Sequence, residues 1–311
     1  VPIGFLQKVT KQDMKEFNFK KIDAFATSTS SGNPAGYVLL NSSDEISESE
    51  MLLMAKELKG FVNEVGYAFK SSENQIDLKY YSSEREVDFC GHATVAIMYD
   101  LLINDKSLQQ FDSLKIKTNR GILKAENRIR NENAVFIFSP EPVDKEVLPA
   151  LVDIATNLNI KPALIDSRFP ISIINAGLST LLVPILNLEA ILNISPDLNQ
   201  LKDFCLATGI DIINVFTKEV TDHRNNYRTR VFAPTFGYLE DPATGSGNSA
   251  FGYYLIRNNL WGSNTITIEQ NGLKNNFNIV KLQKQKDEKG SSRVLFGGAA
   301  ITRIEGKYKL H

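Results

Sequence analysis

The chain has 311 residues, 42% of them hydrophobic and 23% charged, with 35 basic against 36 acidic side chains and a formal net charge of −1. That length carries two ordinary domains or one large one with a real core, the balanced charge argues against a nucleic-acid partner, and 18 Phe with 10 Tyr argue against disorder. Two cysteines (Cys90, Cys205) and three histidines (His92, His223, His311) build no disulfide scaffold and fall at no zinc-ligand spacing, so no metal is expected.

Taken from the start, Met14 reads as a natural initiation point, which makes residues 1–13 an expected extension. Short β-branched or aromatic runs at 22–26 and 36–40 read as strands on either side of the turn cluster Ser30-Ser31-Gly32-Asn33-Pro34. Met51, Leu52, Met54, Ala55 and Leu58 recur at helical spacing over 47–59, opened by Ser47 as N-cap. Strands are predicted at 64–69, 76–81, 114–118, 122–125 and 134–138, interrupted by one helix from about Gly91 to Leu102. After Ser139-Pro140-Glu141-Pro142 the plan resumes, with strands at 171–174, 180–183, 212–216, 227–232, 265–269, 277–282 and 293–297. A second internal helix runs from Gly245 to about Leu260, and surface helices are expected at 144–158 and 197–207. The most apolar stretch, 171–186, is broken by Asn175, Gly177 and Pro184, so no membrane span and no membrane partner are expected.

Each half therefore sets strands, an acidic segment and a Gly/Thr/Ser-rich bend before one largely apolar helix. The bends are Glu86-Val87-Asp88-Phe89-Cys90-Gly91-His92-Ala93-Thr94 and Glu240-Asp241-Pro242-Ala243-Thr244-Gly245-Ser246-Gly247-Asn248. A helix apolar all round is buried on every side. The expected fold is thus α+β, with two pseudo-duplicated domains, each a curled mixed or antiparallel, barrel-like sheet around a central helix. We expect lobes over 14–140 and 141–298, with 299–311 returning to the first.

A helix start carries unpaired N–H groups and the positive end of the helix dipole, and glycine lets an anion approach closely. Two such starts facing one another would bind a small carboxylate; taken singly, either bend simply caps a buried helix. Glu64, entering an otherwise apolar strand, lies either exposed at the strand end or at a cleft. His92 at a helix start favours the neutral ring, suited to proton transfer near neutral pH, or caps its own helix. Asp241 either compensates a helix dipole or faces a ligand. Gly245-x-Gly247-x-x-Ala250 with Glu269 beyond it is a weak dinucleotide pattern, because no strand ends at its first glycine.

Asp23-Ala24-Phe25, Gly32-Asn33-Pro34-Ala35, Asp88-Phe89-Cys90-Gly91-His92-Ala93-Thr94, Phe232-Ala233-Pro234 and Glu240-Asp241-Pro242-Ala243-Thr244-Gly245-Ser246 together resemble the PhzF-like family of phenazine-biosynthesis proteins. The resemblance spans about residues 21–304. It implies the diaminopimelate-epimerase-like fold, with the active site between two similar domains, and a cofactor-independent isomerase. It implies Glu64 as the proton shuttle, carboxylate binding by Gly91, His92, Gly245 and Ser246, and contact between Asp241 and the polar substituents of the substrate; Asn33 matches a substrate-contacting asparagine of related folds. The named reaction of the family isomerises trans-2,3-dihydro-3-hydroxyanthranilate. A homodimer acting on a small-molecule carboxylate follows from the same likeness, while the two cysteines and the lack of a signal-like stretch lead us to expect a cytoplasmic protein. Related racemases use one cysteine in each bend; here Cys90 stands at the first position and Thr244 at the second, which disfavours a two-thiol mechanism. A single-thiol dehydratase or epimerase, with the Cys90 pKa lowered by its helix start, and a non-catalytic carboxylate binder are the alternatives.

Overall fold

The computed structural model describes residues 15–145, 147–287 and 290–310; the expected extension over 1–13 lies outside the described residues. The first half of the chain runs β1 (Lys15–Ala24), β2 (Asn33–Leu39), α1 (Glu48–Glu57), β3 (Glu64–Ser72), β4 (Gln75–Ser82), β5 (Glu86–Val87), α2 (Gly91–Asn104), β6 (Ser113–Thr118), β7 (Gly121–Asn127), α3 (Ile129–Glu132) and β8 (Val135–Phe138). The second half runs β9 (Val143–Lys145), α4 (Leu151–Asn157), β10 (Ser172–Asn175), β11 (Ser179–Pro184), α5 (Leu188–Leu192), α6 (Leu198–Thr208), β12 (Ile212–Thr217), β13 (Tyr227–Phe232) and β14 (Glu240–Asp241). It closes with α7 (Gly245–Arg257), β15 (Thr265–Gln270), β16 (Asn278–Lys286), β17 (Ser292–Gly298) and β18 (Ala300–Leu310). The result is a sheet-dominated α+β fold.

Strand pairing follows one order in both halves. From β1 it runs antiparallel to β2, parallel to β3, antiparallel to β4, parallel to β6, then antiparallel to β7 and β8. From β10 it runs antiparallel to β11, parallel to β12, antiparallel to β13, parallel to β15, then antiparallel to β16 and β17. The two runs join where β17 pairs with β8, and β18 pairs antiparallel with β1 along its length.

Helices α2 and α7 lie within these sheets. Ala93, Val95–Met98, Leu101 and Leu102 on α2 and Ala250, Phe251 and Tyr253–Leu255 on α7 are buried, and all belong to one continuous apolar core. Neither helix leaves a polar face for solvent, as the all-round apolar pattern requires. Close approach needs a missing side chain: a Cβ on Gly66 of β3 would overlap Ile97 of α2. Ser47 caps α1 in a reciprocal capping box with Glu50, matching its sequence signature.

One predicted helix is corrected. The segment 144–158 is helical only over Leu151–Asn157, because Pro149 fixes an extended approach, and Val143–Lys145 instead pairs with β10. Among the described residues no helix is long and apolar enough to cross a membrane.

Candidate active site

The two bends converge. Gly91 opens α2 and Gly245 opens α7, and the ring of Phe296 on β17 lies against both: a Cβ on Gly91 would stand 3.3 Å from it, and one on Gly245 would overlap it. One phenyl ring therefore separates the two helix starts. The N-cap residues, Cys90 and Thr244, make no side-chain cap hydrogen bond, and neither first turn holds an acid. By contrast α1, α5 and α6 are capped by Ser47, Asn187 and Asp197. The first amides of α2 and α7 thus lack the usual side-chain acceptor, which argues against the reading in which each bend merely caps its own helix.

Both starts line one cavity of about 310 Å³, together with Glu64, Cys90, His92, Asp241, Thr244, Ser246 and Phe296. All six residues singled out from sequence (Glu64, Gly91, His92, Asp241, Gly245, Ser246) are on its wall. A larger cavity of about 680 Å³ lies at the other end of α2, beside Lys20, Tyr37, Asp100 and Asn104. Its buried carboxylate, Asp100, already holds Lys20 and Asn104, and no helix start opens into it, so the smaller cavity is the one equipped for chemistry.

Glu64 reaches the cavity because it opens β3, beside Ala35 of β2 and Ser82 of β4 in the sheet. Its carboxylate is one-quarter exposed, with Oε2 3.4 Å from His92 Nε2 in a contact whose geometry is too poor for a hydrogen bond. The His92 ring also meets Cys90, with Sγ 3.4 Å from Nδ1 and 3.9 Å from Nε2. Burial lowers the pKa of His92, against the opposing pull of Glu64, so the neutral ring expected at a helix start is the resting form.

Cys90 departs from expectation. A helix start should lower a thiol pKa, and the Ala93 amide does act in that sense, but burial and then the Glu64 charge push it well above the ordinary value. The resting thiol is protonated. Sequence spacing shows no metal motif, yet folding brings ligand atoms of Glu64, Cys90 and His92 within 4.8 Å of one another. With the thiol held as S–H and the imidazole neutral, the arrangement is suited to handling protons.

Asp241 sits on β14 opposite Val231. Burial and the nearby Glu64 charge, only partly offset by a hydrogen bond from Thr244, push its pKa up to about 7. No cation pairs with it among the described residues. Asn33 holds it: Nδ2 donates to Asp241 Oδ1 at 2.8 Å and to the Ala243 carbonyl at 2.8 Å. Asn33 is thus a support that crosses from β2 to the second bend.

Sequence reasoning missed four contributors. Phe296 gave no signal beyond a strand position. Gln270 accepts from the Thr244 amide and from Asn248, and donates to the Asp241 carbonyl. Arg85 and Arg120, at the tips of two hairpin turns, also line the cavity. Glu269, weighed as a ribose ligand in the dinucleotide pattern, is fully buried; it accepts from Arg228, Asn225 and the amides of Thr221 and Asp222, and has no face left for a cofactor.

Residues 22–306 match the family model described as phenazine biosynthesis-like protein. The uncharacterized isomerase YfhB of Bacillus subtilis is 30% identical over 78% of this chain and 82% of its own length. The uncharacterized isomerase YddE of Escherichia coli K12 is 31% identical over 77% and 79%, respectively. A crystal structure of a PhzF-family phenazine biosynthesis protein from Bacillus anthracis superposes with a TM-score of 0.83 at 25% identity, covering 94% of this chain and 99% of that one. The trans-2,3-dihydro-3-hydroxyanthranilate isomerase of Pseudomonas chlororaphis is a more distant relative, 25% identical over 76% of this chain and 78% of its own length. The fold and the named relatives define an enzyme, an isomerase. The chain belongs to the PhzF-like family of phenazine biosynthesis-like proteins.

Proposed function

We propose that this isomerase moves a proton between carbon atoms of a small carboxylate of the dihydro-hydroxyanthranilate type, without a cofactor. The substrate carboxylate is held by the amides at Gly91-His92 and Gly245-Ser246. Glu64 removes a proton from carbon and returns it elsewhere on the same face; neutral His92 and Asp241, whose pKa of about 7 leaves it part protonated at neutral pH, orient the polar substituents. The repeated pairing order supports two duplicated lobes, 14–140 with 299–311 returning beside β1, and 141–298, so that the reaction occurs at their junction.

One observation carries the reading: the Glu64 carboxylate, 3.4 Å from His92 and with an oxygen that accepts no hydrogen bond, lies in the cavity where two uncapped helix starts meet. An oxygen that accepts no hydrogen bond within the protein is open to a proton from the substrate. The single-thiol route has the Cys90–His92 contact in its favour, but a thiol with a raised pKa is a poor base at neutral pH.

Paired variants separate the two routes. Glu64→Gln is expected to fold with an unchanged melting temperature and to lose about 10²–10⁴-fold in kcat. Cys90→Ala is expected to keep kcat within about tenfold, equivalent to about 1.4 kcal/mol of barrier. The reverse pattern, an active Glu64 variant beside a dead Cys90 variant, transfers the chemistry to the thiol.

A further inference from the structure

The chain has eleven arginines, and eight of them hold a carboxylate within 4.0 Å: Arg128, Arg168, Arg224, Arg228, Arg230, Arg257, Arg293 and Arg303. Three have no ion pair among the described residues, and two of these, Arg85 and Arg120, line the candidate active site. They come from separate turns, β4–β5 and β6–β7. Arg120 reaches across toward the second half of the chain, with Nη1 3.7 Å from where a side chain on Gly177 would begin. Glu86 and Asp88 line the same cavity, yet neither makes an ion pair with Arg85 or Arg120.

A guanidinium presents rigid, paired N–H donors that match a carboxylate in two-point contact. The first carboxylate of the substrate has its own partners in the helix-start amides, so rim arginines have no role toward a monoanion. We infer that the substrate is a dicarboxylate, its second carboxylate bound at the rim by Arg85 and Arg120. This rests on the carboxylate-binding cavity of the proposed function and adds a second carboxylate to the ring-type substrate proposed there. It also separates this chain's substrate from the compound named for the Pseudomonas relative, trans-2,3-dihydro-3-hydroxyanthranilate, which carries a single carboxylate. A cavity of about 310 Å³ holds one six-membered ring with two such groups.

The test compares isophthalate with 3-carbamoylbenzoate, which keeps the ring, shape and first carboxylate and lacks only the second charge. Calorimetric titration of the full chain at low salt is expected to give isophthalate about tenfold tighter binding or more. In the Arg85→Gln/Arg120→Gln double variant that advantage should shrink to within about twofold, while 3-carbamoylbenzoate binds as before. Both arginines are exposed, so the variant is expected to fold. Equal affinities in the unmodified protein, or an advantage that survives both substitutions, overturn the inference and leave the proposed function standing. If neither probe binds at millimolar concentration, the carboxylate-binding reading of the cavity falls, and this inference with it.

Discussion

A carboxyl group titrating near neutrality costs the fold something, and Asp241 shows where. Its pKa in the folded protein is about 7, against 3.8 for the free side chain. The folded state therefore binds the proton more tightly than the unfolded chain. The stability contributed by the neutral form is fully present below about pH 4 and is lost as the pH rises through about 7. Asp241→Asn removes the ionisation and keeps an oxygen to accept from Asn33. The variant is expected to match the parent near pH 4 and to exceed it by on the order of 4 kcal/mol at pH 8, measured by urea unfolding across that range. A gain independent of pH would mean that the carboxyl is not titrating in this window. Substrate affinity of the parent should also weaken above pH 7, because a second negative charge then stands beside Glu64. Asp241 was legible in sequence as an acid ahead of a helix; its burial was not, because the groups that cover it come from β2 and β15.

At the scale of elements, α2 and α7 are short of side-chain caps at the ends that matter and tightly packed elsewhere. Both were readable from one sequence, since an unbroken apolar run after a Gly-rich bend has no other stable place than a core. Their mutual approach was not readable. It depends on Phe296, whose ring fills the gap between them and leaves no room for a side chain at position 245. Gly245→Ala is expected to cost about 1–3 kcal/mol in stability by overpacking and to raise KM, since the displaced ring disturbs both helix starts. Thermal denaturation and steady-state kinetics check the two effects, and an unaffected variant would show that the ring yields freely. The misplaced helix over 144–158 has the opposite lesson: apolar spacing continued through Pro149, and local chemistry overrode the pattern.

For the whole molecule, the cleft exists only if the two halves of the chain keep their relative positions. Besides the β8–β17 pairing, fully buried Asn278 ties them: its Oδ1 accepts from the Gly32 amide at 2.9 Å and its Nδ2 donates to the Pro242 carbonyl at 2.7 Å. These bonds fix the segments carrying Asn33 and Asp241, which themselves hydrogen-bond. Asn278→Ala leaves the buried Gly32 N–H and the part-buried Pro242 carbonyl without these partners, at about 1–3 kcal/mol for the buried one. Because the lesion lies at the junction, activity at a temperature where the variant remains folded is expected to fall at least tenfold. Retention of full activity would place the control of cleft geometry elsewhere.

The sequence alone determined the sheet-dominated architecture, the two buried helices, and the chemical character of each bend, since these depend on local periodicity, turn chemistry and the properties of a helix start. It also carried the family likeness, through short motifs whose order spans most of the chain. Only the tertiary structure decided that Glu64 meets His92, that Asn33 grips Asp241, that burial outweighs the helix start at Cys90, and that Arg85 and Arg120 line the cleft without an ion pair among the described residues. Those outcomes depend on distances between residues far apart in the chain and on how much water folding removes from each group, and neither quantity is encoded in the spacing of residues along a single segment.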